Sequence, residues 1–173
     1  SGNANTCNAD GVEKAMQMCK IAARQCAVLP SNVIVASTGV IGMPLDVTPI
    51  EKSIGQLYWD LEHSVAGSRN AAEAIMTTDT TIKEVAVEFE LGGKVCRMGG
   101  IAKGSGMIHP NLATMLIFIT GDVAISSEML QKALKESVKT TYNCVTVDGD
   151  TSTNDTLLLL ANGMAENPEI TEK

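Results

Sequence analysis

Apolar residues recur at three- and four-residue intervals across residues 10–29, at Val12, Ala15, Met16, Cys19, Ala22, Ala23 and Cys26, which predicts an amphipathic helix closed by Pro30. Cys19 and Cys26 stand two helical turns apart and are expected together on its packed face. Residues 33–37 form a short β-branched run that reads as a buried strand, emptying into Thr38-Gly39-Val40-Ile41-Gly42. Thr48-Pro49-Ile50-Glu51 has the form of a capping box with proline at the first helical position, so a helix is expected from there to about His63. Residues 71–76 read as a further helical piece.

The period then changes. Val85, Val87, Phe89 and Leu91 alternate with Ala86, Glu88 and Glu90, the pattern of a half-buried strand. Gly92-Gly93 turns it, and residues 95–102 return, so a hairpin is predicted. A loop follows over 103–111, holding Gly104, Gly106 and Pro110, and residues 113–120 resume as a buried strand. Ser126 is placed to cap a helix carrying Met129, Leu130, Ala133, Leu134 and Val138. Residues 143–147 read as another strand, and Asn154 as the cap of an apolar helix ended by Gly163. An antiparallel hairpin among helices, without strict βαβ alternation, predicts a layered α+β fold in a single domain over residues 1–173.

Composition narrows the function classes. With 45% apolar and 19% charged residues the chain can bury a core, which excludes a disordered segment. A net charge of −7 is a poor footprint for nucleic acid or an anionic membrane, and five aromatic residues are too few for a base-stacking platform. The apolar runs at 115–119 and 157–161 fall far short of a membrane span. Five cysteines cannot all pair; none forms a Cys-x-x-Cys clip, and only His63 and His109 could complete a zinc site, so reduced thiols in a cytoplasmic protein are expected and no metal. No charged-then-apolar leader opens the chain, which begins Ser1-Gly-Asn-Ala-Asn without a methionine and reads as cut from something longer.

Several candidate sites fall away on spacing. Gly104-Ser-Gly106 lacks the Gly-Lys-Ser/Thr continuation of a phosphate loop and the helix of a dinucleotide fingerprint. Asp148-Gly-Asp150-Thr-Ser152-Thr-Asn154 resembles a calcium loop but has Thr153 at the sixth position and Leu159 at the twelfth, so a capping turn is the better reading. His109 has no acidic partner at a recognisable spacing and reads as a loop histidine without catalytic duty. Lys103 stands on a glycine loop in an apolar segment, and Thr114 interrupts an apolar strand. By spacing alone Thr114 is an ordinary β-branched strand former. The sharper alternative is a nucleophile, since a threonine freed at its own N-terminus carries a base in its α-amine, whose ordinary pKa is about 7.7–8.0.

Lys103-Gly-Ser-Gly-Met-Ile-His-Pro-Asn-Leu-Ala-Thr-Met-Leu116 resembles the self-cleavage motif of the ornithine acetyltransferase (glutamate N-acetyltransferase) family. Ser1-Gly-Asn-Ala-Asn5, Ala36-Ser-Thr-Gly-Val-Ile-Gly42, Ile75-Met-Thr-Thr-Asp-Thr80, Gly99-Gly-Ile-Ala-Lys103 and Val147-Asp-Gly-Asp-Thr-Ser-Thr-Asn-Asp155 are similar to further family blocks, in family order. The resemblance implies a layered αββα sandwich of the N-terminal-nucleophile-like type. It also implies acetyl transfer from N-acetylornithine to glutamate through an acetyl-threonine, in arginine biosynthesis, after autocatalytic cleavage between Ala113 and Thr114.

Thr114 would be the nucleophile, Thr38 and Gly39 the oxyanion hole, and Thr77, Lys103 and Thr114 the substrate site. The implied enzyme needs no metal or organic cofactor, with acetyl-CoA a second acetyl donor in a minority of members, and is cytoplasmic, or mitochondrial in a eukaryote. Family members run upstream of Ser1 and downstream of Lys173, where an acidic residue and C-terminal polar residues join the site. The chain is therefore expected to need a companion chain or a homo-oligomer. The alternatives are an N-terminal-nucleophile amidohydrolase or aminopeptidase, and an inactive fragment that depends on a partner.

Overall fold

A computed structural model describes residues 3–5, 8–108 and 115–171. They fall into two compact units, Ser1–Ser68 and Arg69–Lys173.

In the first unit, α1 (Gly11–Cys26) buries Met18, Cys19, Ile21 and Ala23, the three- and four-residue spacing that puts side chains on one face. It ends on Ala27 in the left-handed conformation, φ 55°, whose N–H closes the last turn on the Ala23 carbonyl. Cys26 does not share the packed face of Cys19: it occupies the last helical position and is exposed. Pro30 opens a 3-10 turn, Pro30–Asn32.

Residues 33–37 are extended but belong to no sheet, since among the described residues only an isolated parallel bridge, Asn3 to Val40, forms nearby and a strand needs a partner for its backbone groups. α2 (Thr48–Trp59) starts where proline and threonine predict, but its cap differs from the expected box. Thr48 is itself helical, and its amide donates to Asp46 Oδ1 at 2.9 Å. The helix ends at Trp59, capped by Asp60, four residues before the expected end.

α3 (Val65–Ala74) runs through the boundary into the second unit, which is built on a four-stranded sheet in the order β1 (Lys83–Leu91), β2 (Lys94–Lys103), β3 (Leu116–Gly121) and β4 (Thr156–Ala161). β1 and β2 form the predicted hairpin, and Gly92 and Gly93 take φ of 58° and 77°, the signs its tight turn needs. β2 and β3 are antiparallel; β3 and β4 are parallel. The alternation in β1 does place Val85, Val87 and Phe89 on one face, but Val85 and Val87 are half exposed or more, because they line an open cavity of about 300 Å³ between β1–β3 and Tyr142, while Phe89 is partly exposed.

Two predicted elements exchange type. The run at 157–161, expected as a helix capped by Asn154, is strand β4; a few apolar residues make barely more than one helical turn, and a parallel strand in a sheet reads as a continuous apolar run rather than an alternation. Residues 143–147, expected as a strand, instead begin in a 3-10 turn, Tyr142–Cys144, and continue extended, with the Val147 amide donating to the Ile108 carbonyl at 2.8 Å.

Ser126 caps α4 (Ser127–Thr140) as expected, its hydroxyl accepting from the Met129 amide. Leu130, Ala133 and Leu134 of α4 face a cavity of about 420 Å³ whose other wall is the sheet, through Phe89, Ile119 and Leu159. Ile108, Met115 and Ile117 centre the buried cluster, packed by Ala102, Ile119, Tyr142 and Leu157. Helices with an antiparallel hairpin in a mixed sheet are the α+β composition expected.

Candidate active site

Register places the sheet's ends. Lys103, the last residue of β2, pairs with Leu116, the first of β3, and Leu116 pairs with Thr156, the first of β4. Lys83, the first of β1, lies opposite Ala102. One end of the sheet therefore gathers Lys83, Lys103, Met115 and Asp155.

Lys103 is the unusual member, a lysine only 3% exposed. Its Nζ donates to Thr77 Oγ1 at 2.9 Å, so the two substrate-site residues inferred from sequence resemblance meet, although they stand 26 positions apart. Burial pushes the Lys103 ammonium below its usual pKa; the carboxylates of Asp79 and Asp155 pull it back up, and Lys83 pushes it further down.

Asp79 has a fully buried side chain. Its Oδ1 accepts from Lys83 Nζ at 2.5 Å and from the Gly104 amide at 2.8 Å, and its Oδ2 accepts from the Thr77 amide at 3.3 Å. Burial raises the Asp79 pKa, but the Lys83 hydrogen bond and the two amides outweigh it and hold the carboxyl below its ordinary value. Beside it, the hydroxyls of Thr78 and Ser105 share a hydrogen bond of 2.7 Å.

The segment 146–156 ties down the chain on both sides of residues 109–114. Asp148 accepts the Ile108 amide at 2.9 Å and the Met107 amide at 2.5 Å, and these amides hold its carboxyl below the ordinary range. Thr146 Oγ1 donates to the Ile108 carbonyl at 3.1 Å. On the other side, Asp155 Oδ1 accepts the Met115 amide at 2.9 Å, and the Thr156 amide donates to the Met115 carbonyl at 3.0 Å. Asp155 titrates the other way from Asp79: burial raises it, against the Met115 amide, the Ser152 side chain and the charge of Lys103. The Asp148–Asn154 run thus serves as a tie between loops, and the turn it makes leads into a strand and caps no helix.

Ala113, Thr114 and His109 lie outside the described residues. Thr38 and Gly39 belong to the first unit, where Thr38 is 3% exposed and Gly39 has φ 130°, a backbone angle that residues with side chains rarely adopt. Asp79, Asp155 and Lys83 were not among the residues singled out from the sequence, and Asp148 was considered only as the start of a calcium-like loop and set aside as a turn. Asp79 and Asp155 do fall inside the quoted blocks 75–80 and 147–155, the only signal that could have raised them. Among the described residues no three His, Cys, Asp or Glu side chains group to hold a metal ion, the four cysteines are unpaired, and no helix is long and apolar enough to cross a membrane.

Comparison with known proteins decides the family, since the ArgJ family pattern matches residues 1–173. The chain belongs to the ArgJ family. It is 49% identical over 171 residues to the arginine biosynthesis bifunctional protein ArgJ of Symbiobacterium thermophilum, covering 98% of this chain and 42% of that protein. It is 52% identical over 167 residues to the glutamate N-acetyltransferase of Methanocaldococcus jannaschii, covering 95% and 41%. The chain thus spans about 42% of the length of the curated ArgJ relatives it matches. Among solved structures it is similar to the arginine biosynthesis bifunctional protein ArgJ of Bacillus halodurans, at TM-score 0.53 and 34% identity, over 64% of this chain and 56% of that one. This likeness carries the layered, N-terminal-nucleophile-type fold expected for an ArgJ chain.

Proposed function

We propose that the complete protein carrying this chain moves the acetyl group of N-acetylornithine to glutamate through an ester on Thr114, in arginine biosynthesis. The observation that supports this most is the buried Lys103 ammonium hydrogen-bonded to Thr77 at the sheet end where β3 begins, two residues after Thr114. A cation held in a dry setting suits a carboxylate-bearing amino-acid substrate.

Thr114 first becomes an N-terminal residue: its Oγ attacks the Ala113 carbonyl, the amide nitrogen leaves as the new α-amine, and water opens the resulting ester. In the transferase cycle that amine takes the hydroxyl proton as Oγ adds to the acetamide carbonyl. Thr38 Oγ1 and the Gly39 N–H serve as donors to the oxyanion. Collapse expels ornithine, whose nitrogen receives the proton, and the amine of glutamate then attacks the acetyl ester to give N-acetylglutamate and restore Thr114. The scheme uses no metal or organic cofactor, and acetyl-CoA would enter as a second donor to the same ester. The remaining family segments, as a companion chain or within an oligomer, would complete the substrate site.

N-terminal sequencing of the purified full-length protein tests the first step: one new end at Thr114 is expected, retained in Thr114→Ser and lost in Thr114→Ala. A new end elsewhere would sink the assignment.

A further inference from the structure

The hydrogen bond between Lys103 and Thr77 joins two flexible side-chain ends and cannot by itself fix either backbone. Asp79 holds both. Its carboxylate accepts the amide of Thr77 itself and the amide of Gly104, the residue that follows Lys103, while Lys83 Nζ occupies the same oxygen as Gly104. All three partners are donors, and only an acceptor-only group can satisfy them together; an asparagine in the same place would turn an N–H toward one of them. We propose that Asp79 is a positioning residue of the site, whose carboxylate sets the two backbones that carry Thr77 and Lys103 and so fixes where the ammonium meets a carboxylate-bearing substrate.

The inference rests on the substrate role proposed for Lys103 and Thr77 and adds to it the residue that holds them. Among the described residues, the donors to Asp79 come from the loop after α3, from β1 and from the turn after β2, so the carboxylate is the point where three segments are tied. The charge matters as well as the geometry. Lys103 is buried, and the charged groups that act on it are Asp79 and Asp155, which favour its protonated form, and Lys83, which opposes it. Neutralising Asp79 removes one of the two groups that keep Lys103 charged.

The test uses the full-length enzyme with Asp79→Asn, Asp79→Asn combined with Lys103→Arg, and Thr114→Ala. Asp79→Asn is expected to raise KM for N-acetylornithine and glutamate roughly tenfold or more, the loss of one charge-assisted contact. It should also move the alkaline limb of kcat/KM down by about one pH unit, as the loss of a neighbouring opposite charge does. Adding Lys103→Arg should return the limb, because arginine stays charged, without returning KM. A purely structural role would reduce the yield of active enzyme and leave KM and the limb in place, and that result overturns the proposal. If Asp79→Asn does not fold, the unmodified protein still decides. The amide proton resonances of Thr77 and Gly104 should shift together, with one common low titration, as pH is lowered; separate or absent titrations refute the clamp. Turnover in Thr114→Ala would overturn the nucleophile while leaving the Asp79 readouts intact. An inactive Thr114→Ala beside an Asp79→Asn enzyme with unchanged KM and limb would overturn the Asp79 proposal alone.

Discussion

Asp79 and Asp155 are carboxyl groups at the same end of one sheet, and their surroundings drive them in opposite directions. Asp79 is held below its ordinary pKa by Lys83 and two amides, so the unfolded chain binds more protons. Its stabilisation is present above the ordinary carboxylate value of about 3.9 and is lost as pH falls through the lower folded value. Asp155 is raised by burial, so the folded chain binds more protons, and stability falls as pH rises from about 3.9 through the raised value. Asp79→Asn should therefore cost about 1.5–3 kcal/mol at neutral pH, with the deficit shrinking in acid. Asp155→Asn, which keeps an oxygen for the Met115 amide, should be neutral or stabilising at pH 7, with that difference vanishing below the carboxylate range. Urea midpoints across a pH series check both, and a larger neutral-pH loss for Asp155→Asn would contradict the assignment. On the catalytic side, Thr38→Ala in the full-length enzyme should lower kcat on the order of 10²-fold or more if its hydroxyl meets the oxyanion. An unchanged steady-state rate would remove it from that role.

At the scale of elements, the hairpin was legible because alternation ending in Gly-Gly has few other structures open to it. The helices at Gly11–Cys26 and Ser127–Thr140 were legible from their 3.6-residue spacing and, for the second, the Ser126 cap. β4 was not, since a run of six residues carries no period that separates a buried strand from a helix; its identity comes from the parallel partner β3, distant in sequence. The same holds for residues 33–37, whose β-branched side chains favour extension but cannot supply a neighbouring strand. In the site, Thr77 and Lys103 were reached by resemblance, whereas Asp79 was missed because the Gly104 amide, 25 positions away, is brought to it only by the hairpin's fold, and Lys83, four positions on, is a spacing that by itself marks no site. The hairpin turn gives a test at this scale. A Cβ on Gly92 would sit 2.7 Å from Pro168 Cδ at φ 58°, whereas one on Gly93 meets nothing within 4 Å at φ 77°. Gly93→Ala should cost only the backbone strain, about 1–2 kcal/mol, and Gly92→Ala clearly more, read as thermal midpoints of the two variants. The reverse order would mean that Pro168 does not pack on the turn.

For the whole molecule, the family follows from a match over all 173 residues, while the chain spans about 42% of the curated relatives' length. The activity proposed here is thus a property of the complete protein. Its central claim is that the acetyl group passes through Thr114. Exposing the full-length protein to N-acetylornithine without glutamate, quenching in acid and measuring intact mass should show the fragment that begins at Thr114 heavier by one acetyl group. Tandem fragmentation should place that group on Thr114, and glutamate should remove it with the appearance of N-acetylglutamate. An unmodified fragment in a protein that still transfers acetyl groups, or an acetyl group placed on another residue, would contradict the account.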